Sequence, residues 1–218
     1  MSTHDHDTAG AVRTWIHGWT VSRGAAEPVP TPGGFSIDVG LPGHVVRHVL
    51  PAADEAAVRR ITGGPAAPGT WLKAPAEPEQ FASWLGPGWS LAGGAGFLMA
   101  APPHTARTGP APRIADGYRL DTWTRGGVAR VLVRTADGAF AARGQAGLTG
   151  SAFVVDQVET DPAHQRRGLG RVMMRALADA AAAEGATEGV LVATPEGRAL
   201  YETMGWQLLS PLTGAVRS

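Results

Sequence analysis

Gln165-Arg166-Arg167-Gly168-Leu169-Gly170 lies between an apolar run, Ala152 to Thr160, and a long segment of helical periodicity. In that segment Val172, Met173, Ala176, Leu177 and Ala180 recur at helical spacing up to Glu184, and Gly185 is a natural C-terminal stop. A strand, a glycine-bearing loop and a helix in direct succession place the first-turn amides of the helix beside the loop, where they can bind an anion. Gly168 and Gly170 let the backbone approach a ligand without a Cβ in the way, and Arg166, Arg167 and Arg171 add charge-assisted hydrogen bonds, a combination suited to phosphate. His164 is near enough to add a contact, but a solvated loop histidine is the favoured reading.

Two other phosphate loops are excluded by their own requirements. A Walker A loop ends in Gly-Lys-Ser/Thr, and the dinucleotide fingerprint needs a third glycine within a parallel βαβ unit followed by an acidic residue. Here the upstream segments Tyr118 to Arg125, Val128 to Thr135, Ala139 to Ala146 and Ala152 to Thr160 read as successive strands of an antiparallel meander. Asp137-Gly138 is a hairpin turn between the second and third. Downstream, Gly189 to Ala193 reads as a buried strand, Glu196 to Met204 as a helix ended by Gly205, and Trp206 to Leu209 as a last strand.

On these residues the second half resembles the GNAT acetyltransferase superfamily. Gln165 to Gly170 is similar to its Gln/Arg-x-x-Gly-x-Gly/Ala loop, and Val158-Glu159-Thr160-Asp161-Pro162 to the apolar-x-apolar-x-Pro end of its preceding strand. Ala199-Leu200-Tyr201-Glu202 with Gly205-Trp206 looks like the family's second signature, in the expected order. The resemblance implies an α/β (α+β) fold with a mixed, largely antiparallel sheet and flanking helices. It also implies acetyl-CoA as cofactor, with its pantetheine along Val158, Glu159 and Thr160 and its pyrophosphate on Gln165, Arg166, Arg167, Gly168, Leu169, Gly170 and Arg171. Thr194 stands where many members have a cofactor-contacting asparagine. The implied reaction is attack of a neutral amine on the thioester, with Tyr201 as the acid that protonates the thiolate and Glu159 as the first choice of base; Asp156 and Glu188 are the alternatives. The acceptor would be a small-molecule or peptide amine, and a homodimer stays open. From a different class, a non-catalytic acyl-CoA-binding sensor or assembly module is the alternative.

The resemblance covers Tyr118 to Leu212 and omits the helices that usually follow the family's first strand, so the first half is expected to supply substrate-binding elements. There Arg13 to Ser22 and Phe35 to Leu50 carry the β-branched and aromatic residues of strands, separated by the turn-rich Pro28 to Gly34, and are expected to pair as a hairpin. Ala52-Ala53-Asp54 opens a short helix to Ile61, and Glu77 to Leu85 reads as another. Five of the seven tryptophans, Trp15, Trp19, Trp71, Trp84 and Trp89, lie in this half, enough to build a core or line a pocket. The Pro-rich stretch from Ala101 to Pro112 divides the chain. The expected units are residues 1–105, substrate-binding or a degenerate GNAT-like half, a linker at 106–117, and the core at 118–218.

Composition narrows the remaining classes. In 218 residues, Lys plus Arg and Asp plus Glu number 19 each, so no global field favours nucleic acid or a charged membrane surface. Cysteine is absent, which removes disulfides and thiolate nucleophiles. No run is apolar enough to span a bilayer, the first ten residues do not resemble a signal peptide, and a cytoplasmic protein is expected. Abundant arginine, alanine, glycine and proline suggest a GC-rich bacterial genome. No metal site is expected: His4-Asp5-His6-Asp7 is a terminal polar run, and His44 and His48 lie four apart in a segment read as strand. Gly93-Gly94-Ala95-Gly96 reads as a turn.

Overall fold

The computed structural model describes residues 7–101 and 112–218. His4 to His6 and residues 102–111, which include the first half of the expected linker, lie outside the described residues.

The chain opens with a helix, α1 (Thr8–Arg23), where the composition of Arg13 to Ser22 suggested a strand. Spacing decides against composition. Val12, Trp15, Ile16 and Trp19 recur every three or four residues and are all buried, whereas a strand would bury alternate residues. Both ends carry stop signals. The Asp7 carboxylate accepts from the amides of Ala9 and Gly10, and Gly24 closes the helix in the left-handed region at φ 61°. The expected hairpin with Phe35 to Leu50 therefore does not form; that stretch is itself a hairpin, β2 (Gly34–Leu41) and β3 (His44–Val49), preceded by β1 (Val29–Thr31).

The remaining elements are α2 (Glu55–Gly63), β4 (Thr70–Ala74), α3 (Pro78–Trp84), β5 (Trp89–Leu91), β6 (Phe97–Ala101), β7 (Tyr118–Arg125), β8 (Val128–Thr135), β9 (Phe140–Thr149) and β10 (Ala152–Thr160). They continue through α4 (Leu169–Ala183), β11 (Glu188–Ala193), α5 (Pro195–Glu202), β12 (Gln207–Pro211) and β13 (Thr213–Arg217). Gly93 to Gly96 forms a connection without regular structure.

The strands form two largely antiparallel sheets, ordered β1-β2-β3-β4-β13-β5 and β12-β6-β11-β10-β9-β8-β7. Their connectivities match. In each, three antiparallel strands (β1–β3, β8–β10) lead through a helix (α2, α4) to a parallel fourth strand (β4, β11), then through a short helix to an edge strand. The place beside that edge strand is filled by exchange: β6 of the first half enters the second sheet, and β13 of the second half enters the first. Dividing the chain at the linker therefore separates the sequence but not the sheets.

Three cores stack between the layers. Around α1, residues Val12, Trp15 and Ile16 pack with Ile37 and Val49 of the first sheet and with Leu98, Val154 and Val190 of the second. The outer face of the second sheet buries Met173, Leu177 and Tyr201 of α4 and α5, and the outer face of the first buries Val58 and Phe81 of α2 and α3.

Candidate active site

A gap between two parallel strands sets the site. β10 and β11 pair only from Ala152 to Val155 and from Glu188 to Leu191, while β10 runs on to Thr160. A bulge between Asp156 and Glu159, with Gln157 at φ 52°, turns β10 away from its neighbour. The matching strands of the first sheet stay together: Leu50 N still donates to Lys73 O at 2.9 Å, just past the end of β3. The parting in the second sheet opens a cleft of about 1070 Å³.

One end of the cleft is the loop before α4. Gly168 is the N-cap at φ 77°, a conformation glycine adopts freely, and no side chain caps the helix, so its first-turn amides have no side-chain acceptor. Gly170 permits close packing, since a Cβ there would stand 2.9 Å from Leu200 Cδ2 on α5. The corresponding helix of the first half is closed to an anion, because the Asp54 carboxylate accepts from Ala57 N at 3.0 Å. Beside the loop, the Tyr118 hydroxyl and His164 Nδ1 share a hydrogen bond of 2.9 Å, which turns the imidazole along the cleft wall.

Deeper in, Tyr201 projects from α5 and packs beside Trp206, with ring centroids 6.1 Å apart. Burial pushes its phenol up to about 12, so it stays protonated at neutral pH. Its hydroxyl has no hydrogen-bond partner among the described residues. Asp156 lines the same cleft and is held from the α1 side. Ser22 Oγ donates to it at 3.0 Å and Arg23 makes a bidentate pair, with Nη2 at 2.9 Å from Oδ1. Gln145 Nε2 in turn donates to Ser22 O at 2.7 Å and Ser22 Oγ at 2.8 Å. A carboxylate offers about four acceptor positions; three are taken, and the one left on Oδ1 is available to a ligand or water.

Residues 129–208 match the family model of the acetyltransferase (GNAT) domain. They form a GNAT domain. Similar solved structures span both halves: a GCN5-related N-acetyltransferase from Kribbella flavida is 16% identical with a TM-score of 0.63, covering 95% of each chain. A protein assigned to the GNAT family from Novosphingobium aromaticivorans is 21% identical with a TM-score of 0.57, covering 97% of this chain and 98% of that one. A tandem GNAT protein from the clavulanic acid biosynthesis pathway is 14% identical with a TM-score of 0.55, covering 99% of this chain and 96% of that one. These likenesses show the fold. A comparison with curated proteins finds no match.

Within the GNAT domain, Val158, Thr160, Gln165, Arg166, Gly168, Leu169, Gly170, Arg171, Thr194 and Tyr201 all line the cleft. The Thr194 hydroxyl is partly committed, accepting from Gly197 N at 3.2 Å as the cap of α5. Two expected residues stand elsewhere. Arg167 is exposed and outside the lining. Glu159 is also exposed and pairs with Arg143 Nε at 3.0 Å on β9, past the bulge that shifts the register of β10. Glu188 begins β11, at the end away from the gap; of the three carboxylates weighed as base only Asp156 lines the cleft, where Glu196 of α5 is a further carboxylate. The residues around Asp156 were missed because α1 was read as a strand; the i, i+3, i+4 spacing of Val12, Trp15, Ile16 and Trp19 was the signal that could have found them.

Proposed function

We propose that the chain is an N-acetyltransferase that moves an acetyl group from acetyl-CoA to a primary amine of a small molecule or peptide. The observation that carries this reading is the uncapped α4 N-terminus opening onto the same cleft that Tyr201 and Asp156 face. The donor set fits a CoA pyrophosphate: free helix amides behind a left-handed glycine, with Arg166 and Arg171 beside them. When bound there, the cofactor supplies an acetyl group activated as a thioester. The β10 backbone at Val158 and Thr160, beyond the paired stretch, offers hydrogen bonds to the pantetheine amides.

Asp156 orients the incoming amine and takes its proton, directly or through a water on the free position of Oδ1. Tyr201, kept protonated by burial, donates to the departing thiolate. The first half keeps the topology and lacks the open helix N-terminus, so we read it as a degenerate GNAT-like half that walls the acceptor side. Work in the cytoplasm, where acetyl-CoA is made, accords with this reading.

The test is CoA binding by calorimetry together with thiol release from acetyl-CoA across an amine panel. Binding plus amine-dependent release is expected; binding with no release from any amine would leave a non-catalytic CoA module. Arg166→Ala is expected to raise the CoA dissociation constant about tenfold, in line with loss of one charge-assisted contact, and Arg167→Ala less than threefold. Equal effects of the two would remove the distinction drawn from the cleft lining.

A further inference from the structure

The cleft does not stop at the plane of the sheet. Its lining includes Leu191 and Ala193, which face α4, and also Asp156 and Val192, which belong to the side of α1. Asp156 and Val192 thus bring the cleft wall to the layer between the two sheets. On that side β3 and β4 place Arg47 beside Trp71 and Val49 beside Lys73, with Val49 packed in the core around α1. Arg47 and Lys73 thus point into the inter-sheet layer.

Arg47 is buried, its guanidinium 4.1 Å from the ring centroid of Trp19 and 5.9 Å from that of Trp15. Its Nε donates to His44 Nε2 at 3.1 Å, and the His44 ring packs tilted against Trp71, centroids 5.4 Å apart. Burial, with the charges of Arg47, Arg23 and Lys73, brings His44 down to about 4, so it is a neutral acceptor and contributes no charge. Lys73, the only lysine of the chain, is part-buried with Nζ over Gly214, where a Cβ would stand 3.2 Å away. Burial and Arg47 bring it down to about 8.

The charges in this layer do not balance. Arg47 lies close enough to interact with both Arg23 and Asp156, and Lys73 adjoins Arg47, while the Asp156 carboxylate is already held bidentately by Arg23. Neither Arg47 nor Lys73 has an ion-pair partner among the described residues. Arg47 is buried, and a buried cation without a counter-charge is unfavourable unless an anion joins it. The same field repels a polycationic acceptor.

We infer that the acceptor is an amino carboxylate, its carboxylate held by Arg47 and Lys73 between the sheets and its amine at Asp156. This rests on the acetyl-transfer reading above. Trp19, Trp71 and His44 form an apolar wall beside the cations, suited to the carbon skeleton between the two groups.

Two measurements test it. In the first, α-, β- and γ-amino acids are compared with their amides as acceptors, in wild type and in Lys73→Met and Arg47→Gln. At least a tenfold preference in kcat/KM for the acids is expected, falling below threefold in the variants, with the CoA dissociation constant unchanged. Amides accepted as well as acids, or an acid preference that survives both substitutions, would overturn the assignment. The second needs no turnover: trinitrobenzenesulfonate labelling of Lys73, read by peptide mass, with and without the same compounds. Protection of at least fivefold by an acid, absent with its amide, supports the site, and equal labelling under all conditions rejects it. Failure of CoA to bind in calorimetry would instead count against the acetyl-transfer reading, while the labelling still decides the anion site.

Discussion

Replacing Gly147 by alanine is expected to lower the melting temperature by roughly 10 °C, the shift that about 3 kcal/mol of overpacking produces in a chain of this size. Gly147 lies on β9 where α1 comes closest to the second sheet. A Cβ there would stand 2.0 Å from Gly18 O, 2.9 Å from Ser22 N and 3.0 Å from Gly18 C. All three are backbone atoms, so no side chain can rotate away and the helix itself has to lift. The opposing position is equally tight, since a Cβ on Gly18 would meet Val154 Cγ2 at 2.3 Å. Lifting α1 would loosen the core it shares with both sheets and draw Ser22 and Arg23 away from Asp156, so activity should fall with stability. Gly63→Ala is the control: it adds its methyl where nothing lies within 4 Å. A Gly147→Ala protein that melts within a degree of wild type would show that the helix does not depend on this approach.

That contact also shows why one half of the chain was more legible than the other. β7, β8 and β10 follow the expected bounds, because each is read from its own pattern and bounded by turn residues such as Asp137-Gly138. The loop end of the cleft was legible for the same reason: Gly168 and Gly170 act through local backbone geometry. The Asp156 side of the cleft is assembled across distance. Ser22 and Arg23 meet Asp156 more than 130 residues away in sequence, and Arg47 reaches the same layer from the other sheet. No local spacing encodes those meetings. Nor does it encode the exchange of β6 and β13: such short apolar runs take their place from the vacancy beside β11 or β4. Glu159 lies off the cleft for a more local reason, since one bulge shifts the register at its end of β10.

Tyr201→Phe is expected to lower kcat about a hundredfold at neutral pH, the lower end of what a positioned general acid contributes, with little change in KM or in CoA binding. The ring stays, so packing against Trp206 and the close approach of Gly197, where a Cβ would stand 3.2 Å from Tyr201 Cε2, are both kept. The hydroxyl has no hydrogen-bond partner among the described residues, so its removal breaks no protein hydrogen bond and the melting temperature should hold within about 2 °C. What is lost is a proton donor. Its acid form is the active one, and burial raises its pKa to about 12. Raising the pKa extends the active form upward, so wild-type kcat should show no fall from this group between pH 7 and about pH 10, where an ordinary phenol would be half ionised. A variant with kcat within twofold of wild type would take Tyr201 out of proton transfer and leave it a packing residue on the cleft wall. A wild-type rate that halves near pH 10, with the Phe variant lacking that limb, would keep the acid and refute its burial-raised pKa.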